Sequence, residues 1–333
     1  MKSNLPLHGL EIYMPGDTLA RRSTLTDQAV LWTGFTVTLC IMFTLDLGVF
    51  NRKSHEISFR EASVWTAVWV SLALLFNAGV YFELGKEKAL EFFAGYVIEQ
   101  SLSVDNLFVF IMIFSYFKIS GKHQPKILKW GILGALALRA VFIVAGIDLI
   151  ERFSWTVYLF GGILIFTGIK MAFGKDDEVN PEHNFAVRLI RRFMPITKRL
   201  CGDKFFVNRR GIRAATPLFL ALIVIETSDV IFAIDSIPAV LSVTRDPLIV
   251  YTSNAFAIMG LRSLYYLLAN VMGMFAYLKL GVSFILAFVG VKMLLAHTAY
   301  NISIQFSLGV ILGVLVISVL TSVMFAKKKP HVC

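Results

Sequence analysis

The chain has 333 residues, 57% of them hydrophobic and 16% charged, with a formal net charge of +10. At a mean hydropathy of +0.71 it is too apolar for a water-soluble fold of this length, which excludes soluble enzymes and predicts a polytopic membrane protein. No aromatic or basic recognition motif accompanies the positive charge, so it reads as a topology signal and nucleic acid is not an expected partner.

In chain order, an arm over 1–28 lacks the apolar core of a cleavable signal peptide, and its Arg21-Arg22 pair precedes a long span rather than a removable one. Nine segments then reach the roughly 20 residues that a helix needs to cross the hydrocarbon core: 29–50, 62–84, 89–117, 126–150, 154–173, 214–240, 248–272, 277–296 and 302–325. The expected fold class is an all-α polytopic membrane protein of about nine transmembrane helices. Trp32, Trp65, Trp69, Trp130 and Trp155 fall near segment starts and read as interfacial anchors or as residues packed on neighbouring helices. The loops after segments 1, 3, 5 and 7, with the tail, carry a roughly threefold excess of Lys and Arg. That excess predicts an N-terminus outside and the Lys327-Lys328-Lys329 tail inside. Cys40, Cys201 and Cys333 form no framework, and the ending Pro-His-Val-Cys is not a prenylation box.

A repeat underlies this order. Asp105 aligns with Asp229, Leu138-Arg139 with Leu261-Arg262, and Gly168-Ile-Lys170-Met171 with Gly290-Val-Lys292-Met293, at offsets of 124, 123 and 122. Each unit holds three spans, an odd number, so the second copy enters the membrane from the opposite side, as in many secondary transporters and some channels. The expected organisation is accessory spans over 29–84, repeat 1 over 85–173, a basic cytoplasmic loop over 174–213, repeat 2 over 214–296, a last span over 302–325 and a tail over 326–333.

The chemistry lies in two acidic clusters inside apolar runs, Glu99-Gln-Ser-Leu-Ser-Val-Asp105-Asn106 and Glu226-Thr-Ser-Asp229-Val-Ile-Phe-Ala-Ile-Asp235-Ser236. A carboxylate at the bilayer midplane costs about 2.5–3.5 kcal/mol on insertion scales, so such a cluster implies partners, water or a bound cation. The candidate ligands are Glu99, Asp105, Asn106, Glu226, Asp229 and Asp235, with Asp46, Ser228 and Asn254 as further ligands or a proton relay. This is an oxygen set: no histidine falls in the middle of a span, and Cys40 stands alone. Oxygen ligands suit Mg²⁺, Ca²⁺ or Mn²⁺ rather than Cu⁺ or Zn²⁺. Glu226 and Asp229 share a helix face, whereas Asp235 lies about 180° round from Glu226. A kink or break near Pro238 would aim all three inward, or Asp235 pairs with Arg139 or Arg262 instead. These two arginines occupy matching mid-span positions and read as charge-balancing groups. Lys170 and Lys292 lie near opposite faces, where they could snorkel. Crowding like charges in low dielectric favours bound protons, which suggests proton-for-metal exchange.

The strings EQSLSVDNLFVF, ETSDVIFAIDSIPAV and TSNAFAIMGLRS resemble the signatures of the TerC family, and the region 29–325 resembles its Alx-type branch. The resemblance implies a bacterial inner-membrane protein of the LysE-like superfamily, associated with manganese export and with a tellurium-resistance phenotype. By motif it carries Glu99, Asp105, Asn106, Glu226, Asp229 and Asp235 over as the acidic positions. Tellurite is an anion, so an oxygen-ligand site favours metal export.

The basic loop holds Asn184-Phe-Ala-Val-Arg-Leu-Ile-Arg-Arg-Phe-Met194, which reads as an interfacial helix on anionic lipid. Asp176-Asp177-Glu178 and Glu182-His183 read as a solvated acidic turn or a metal sensor, and 205–215 as a short hairpin. No Gly-rich phosphate loop is present, so ATP cannot drive transport through this chain alone, and the Gly-x-Gly-Asp context of an intramembrane aspartyl protease is missing. The expectation is a secondary transporter, not an enzyme, with no resident cofactor, exporting Mn²⁺ against protons. A Ca²⁺/H⁺ exchanger and a membrane assembly or stress-response factor remain the alternatives. The stripe Gly161-Gly162 and Gly168 fits helix packing within one chain or between two.

Overall fold

The computed structural model describes residues 30–41, 44, 58–174, 184–197, 200, 202–209, 212–271, 277–296, 298 and 302–324. The arm over 1–28, Asp46, the acidic turn with Glu182-His183, Cys201, Cys333 and the lysine tail lie outside the described residues, as does the side chain of Asp105. Nine helices and one hairpin are seen among the described residues: α1 (Val30–Ile41), α2 (Phe59–Tyr116), α3 (Gln124–Arg152), α4 (Thr156–Phe173), α5 (Phe185–Phe193), β1 (Phe206–Arg209), β2 (Ile212–Ala215), α6 (Pro217–Leu241), α7 (Pro247–Val271), α8 (Leu278–Leu295) and α9 (Ile304–Met324).

Local sequence explains the boundaries. Ser58 caps α2, its Oγ accepting from Glu61 N–H at 3.3 Å, and Asp246 caps α7, its Oδ1 accepting from Leu248 N–H at 3.0 Å. Pro125, Pro217 and Pro247 stand in first turns, where a missing N–H costs nothing. The 58 residues of α2 would run ~87 Å as one rod, far more than a bilayer core. Gly85, with φ 89° and ψ 176°, interrupts it. That backbone region belongs essentially to glycine, so the residue divides α2 into the two segments expected from the sequence. No such break occurs at Pro238: α6 is one helix from Pro217 to Leu241, with the proline in its last turn.

Six helices are long and apolar enough to cross a membrane among the described residues: α2, α3, α4, α6, α8 and α9. The chain is therefore a polytopic, mainly helical membrane protein. α7 equals α6 in length but carries Thr252, Ser253, Asn254, Arg262 and Ser263, all buried. A helix wrapped by protein need not be apolar toward lipid. α2 packs along α7, α3 lies on both α6 and α7, α9 covers α8 and α2, and α5 rests on α6.

The longest seam away from these is α4 on α8. A Cβ added to Gly168 would lie 2.7 Å from the Ser283 carbonyl oxygen, and one added to Gly290 would lie 2.7 Å from that of Gly161. Backbone thus meets backbone at two levels one heptad apart, 161 on 290 and 168 on 283, so these glycines pack helices within one chain. Gly162 faces open space.

Other expectations divide. Trp130 and Trp155 are largely exposed, as anchors should be, whereas Trp69 is 2% exposed and stacks on Trp65 at 5.7 Å between ring centroids. Lys170 is exposed, but Lys292 does not snorkel: it is 6% exposed, and its Nζ has no hydrogen-bond partner. The hairpin forms, with Phe206 paired to Ala215 and Arg209 to Ile212. His123 and Lys126 tie the preceding turn, through Asp203, to the start of α3, so the hairpin, the α2–α3 turn and the start of α6 share one end of the molecule.

Candidate functional site

The acidic clusters meet around Arg139. This residue projects from α3 and is fully buried, at 0% exposure. Its Nη1 donates to Glu99 Oε1 of α2 and, at 3.3 Å, to Asn254 Oδ1 of α7. Its Nη2 donates to Asp229 Oδ1 of α6 at 3.4 Å. Asn254 closes the ring by donating through Nδ2 to Glu99 Oε2 at 3.0 Å. Four helices thus send one polar group each to a common point, and Glu99, Asp229 and Asn254 are all at most 2% exposed.

The ring leaves several groups unpaired. Asp229 Oδ2, Arg139 Nε, Ser103 Oγ and Ser236 Oγ are buried and find no hydrogen-bond partner among the described residues. Two carboxylates facing one guanidinium carry one excess negative charge when both are ionised, and an unpaired buried carboxylate oxygen costs more than an unpaired amide. This arrangement invites a proton or a cation.

The remaining acids of α6 point elsewhere, as their helical spacing requires. Glu226, one turn before Asp229, lies against Gly134 of α3, where any Cβ would overlap its carboxylate. Asp235 accepts from Thr167 Oγ1 of α4 at 2.9 Å; Arg139 is not its partner. The Ser228 hydroxyl turns back to the Val224 carbonyl at 2.8 Å. Asn106 and Arg262 are buried, at 3% exposure each. No group of three or more His, Cys, Asp or Glu side chains could hold a metal ion among the described residues. What is present is a carboxylate pair already holding a cation of its own.

Both ends of this centre are closed. Toward the hairpin, Tyr265 O–H donates to Gln124 Oε1 at 3.1 Å, and its ring meets Phe114 edge-on at 5.5 Å. Toward the other end, a Cβ on Gly95 of α2 would lie 2.9 Å from Ser253 Oγ and 3.3 Å from Val240 Cγ1. Beyond that waist is a second polar group, Lys88, Glu91, Thr244 and Asp246, that the sequence reading missed. Its signal was present: Glu91 stands two turns before Glu99 on the same helix, and Asp246-Pro247 marks a helix start.

The model of the integral membrane protein TerC family matches residues 84–330. The chain belongs to the TerC family. An uncharacterized membrane protein of Myxococcus xanthus, STKORF319, is 49% identical over 300 residues, covering 90% of this chain and 94% of that one. Alx of Escherichia coli K12, whose name describes a candidate membrane-bound redox modulator, is 46% identical over 298 residues, covering 87% and 92%. An uncharacterized membrane protein of Rickettsia bellii is 38% identical over 292 residues, covering 88% and 96%. No solved structure matches the chain.

Proposed function

We propose that this TerC-family chain is a secondary transporter of the bacterial inner membrane that exports a hard divalent cation, Mn²⁺ first among them, in exchange for protons. The observation that carries this reading is the shared guanidinium. Glu99 and Asp229 come from different helices to one Arg139, and Asp229 Oδ2 is left buried and unpaired. Arg139 acts as a tethered counter-ion that holds the carboxylates together when no substrate is bound. A dication displaces it from one of them because it brings twice the charge to the same oxygens, and the oxygen-only surroundings suit a hard ion. Protons on the carboxylates provide the alternative neutral state, so binding of one cargo releases the other. The redox word in the relatives' name finds no pair of neighbouring thiols here, since Cys40, Cys201 and Cys333 are far apart in sequence.

The second half of α2 with α3 and α4, and α6 with α7 and α8, are the two inverted copies in this reading, within nine spans whose hairpin end faces the cytoplasm. Their packing supports it. Exchanging the copies turns the α2–α7 contact into α6–α3, and the Gly161–Gly290 contact into Ser283–Gly168. At the same end α5 supports a lipid contact. Val187 docks it to the protein, while Phe185, Leu189 and Phe193 form an exposed stripe beside Arg188 and Arg192, suited to the anionic leaflet.

Uptake of Mn²⁺, Ca²⁺ and Mg²⁺ into inside-out vesicles under an imposed proton gradient tests the function. Gradient-dependent Mn²⁺ uptake is expected, falling at least about tenfold in Asp229→Asn, a barrier rise of about 1.4 kcal/mol. Unchanged uptake in that variant would overturn the role given to Asp229. Absence of flux for every ion would replace transport by the assembly reading.

A further inference from the structure

A cavity of about 440 Å³ opens at the end of the bundle away from the hairpin, lined among others by Lys88, Glu91, Thr244 and Asp246. Its walls come from α2, the ends of α3 and α6, and the starts of α4 and α7, so it stands over the waist where Gly95 packs on Ser253 and Val240. Lys88 crosses its mouth. The Nζ lies 2.8 Å from Glu91 Oε2 and 3.5 Å from Asp246 Oδ2. Thr244 Oγ1 donates to the same Glu91 oxygen at 2.5 Å, and Asp246 is at once the cap of α7. One ammonium therefore joins α2 to the α6–α7 turn. Gly85 lies three residues before Lys88, so the helix that carries this group can swivel where it enters the cavity wall.

On the transport reading above, we propose that this cavity is the vestibule through which the cation leaves the Arg139 centre, and that Lys88 is the residue that closes it. The logic repeats the centre's own. At both levels two carboxylates from separate helices are held by a tethered cation, Arg139 inside and Lys88 at the mouth. With Lys88 in place, Glu91 and Asp246 are neutralised and α2 is drawn onto the α6–α7 turn. A dication arriving from the centre competes for the two carboxylates, frees the ammonium and releases α2 to part from α7 at Gly95. Removing the ammonium leaves two like charges facing each other, which pushes the same surfaces apart.

The test is accessibility of the buried centre. Ser103 is 0% exposed and its hydroxyl has no partner, so Ser103→Cys, with the three native cysteines replaced, gives a reporter thiol that costs no hydrogen bond. A membrane-impermeant methanethiosulfonate reagent is applied to each side of the membrane in oriented vesicles, alongside the Mn²⁺ uptake assay. Lys88→Gln is expected to speed labelling at least tenfold, from the side opposite the hairpin only. Lys88→Arg keeps the bridge and is expected to label as slowly as the parent, as is Lys86→Gln, which alters an exposed lysine outside the cluster. Parent-like labelling in Lys88→Gln, with Mn²⁺ uptake intact, overturns the gate and leaves transport standing. Faster labelling without uptake of any divalent ion supports the gate and overturns the transport reading. Faster labelling from both sides means a loosened fold and overturns the assignment of Lys88.

Discussion

The acidic centre and the glycine seam hold the same bundle together by opposite means. At the centre, α2, α3, α6 and α7 meet through Glu99, Arg139, Asp229 and Asn254, side chains with alternative partners and unpaired atoms. Along the seam, α4 and α8 meet backbone to backbone at Gly161, Gly168 and Gly290, with no side chain between them to adjust. Charges can exchange one partner for another while their helices stay folded. Contacts at 2.7 Å between a would-be Cβ and a carbonyl oxygen cannot give. The comparison separates a part of the molecule built to rearrange from a part built to stay put.

Arg139→Met should have the largest effect on the fold. It leaves Glu99 and Asp229 buried without their cation, a loss of about 3–5 kcal/mol, read as a lowered Tm in detergent. Adding Glu99→Gln to that variant should recover part of the loss; no recovery would mean that Arg139 acts by packing alone. Gly290→Val should come next, with overpacking worth about 1–3 kcal/mol, and should lower Tm without changing the relative preference for Mn²⁺ over Ca²⁺. A changed preference would show that the seam moves with the centre. The smallest effect is expected from Thr167→Val, which removes one hydrogen bond to Asp235, about 1 kcal/mol. Because Asp235 stands apart from the Arg139 ring, Mn²⁺ uptake should persist; its loss would bring Asp235 into the transport path.

Much of this was legible in the chain. Segment limits fell within a few residues of the helices because the apolar runs end at prolines, caps and charges, as at Thr216-Pro217 and Asp246-Pro247. Helical spacing correctly parted Asp235 from Glu226 and Asp229, since a rigid 100° step is a local property. The error was to expect Pro238 to bend them together: a proline in a last turn stops a helix rather than breaking its middle. Asp235 could have been matched to Thr167 only by knowing that α4 crosses α6 there. Lys292 was misplaced for a related reason. Its partner Lys170 looks outward, but α9 covers α8, and nothing near Lys292 in sequence announces that cover. The Lys88 group escaped because its members lie at span ends, where charge is ordinary.

Gly85 also has a mechanical meaning. The 26 residues of α2 before it form an arm of ~39 Å, and the family match begins at residue 84, beside the joint. A swing of only about 10° at that joint carries the far tip of the arm through ~7 Å, so a change too small to disturb packing near Lys88 becomes a displacement of several side-chain widths at the opposite surface. The conserved-family portion and the arm ahead of it are in this sense a bearing and a lever.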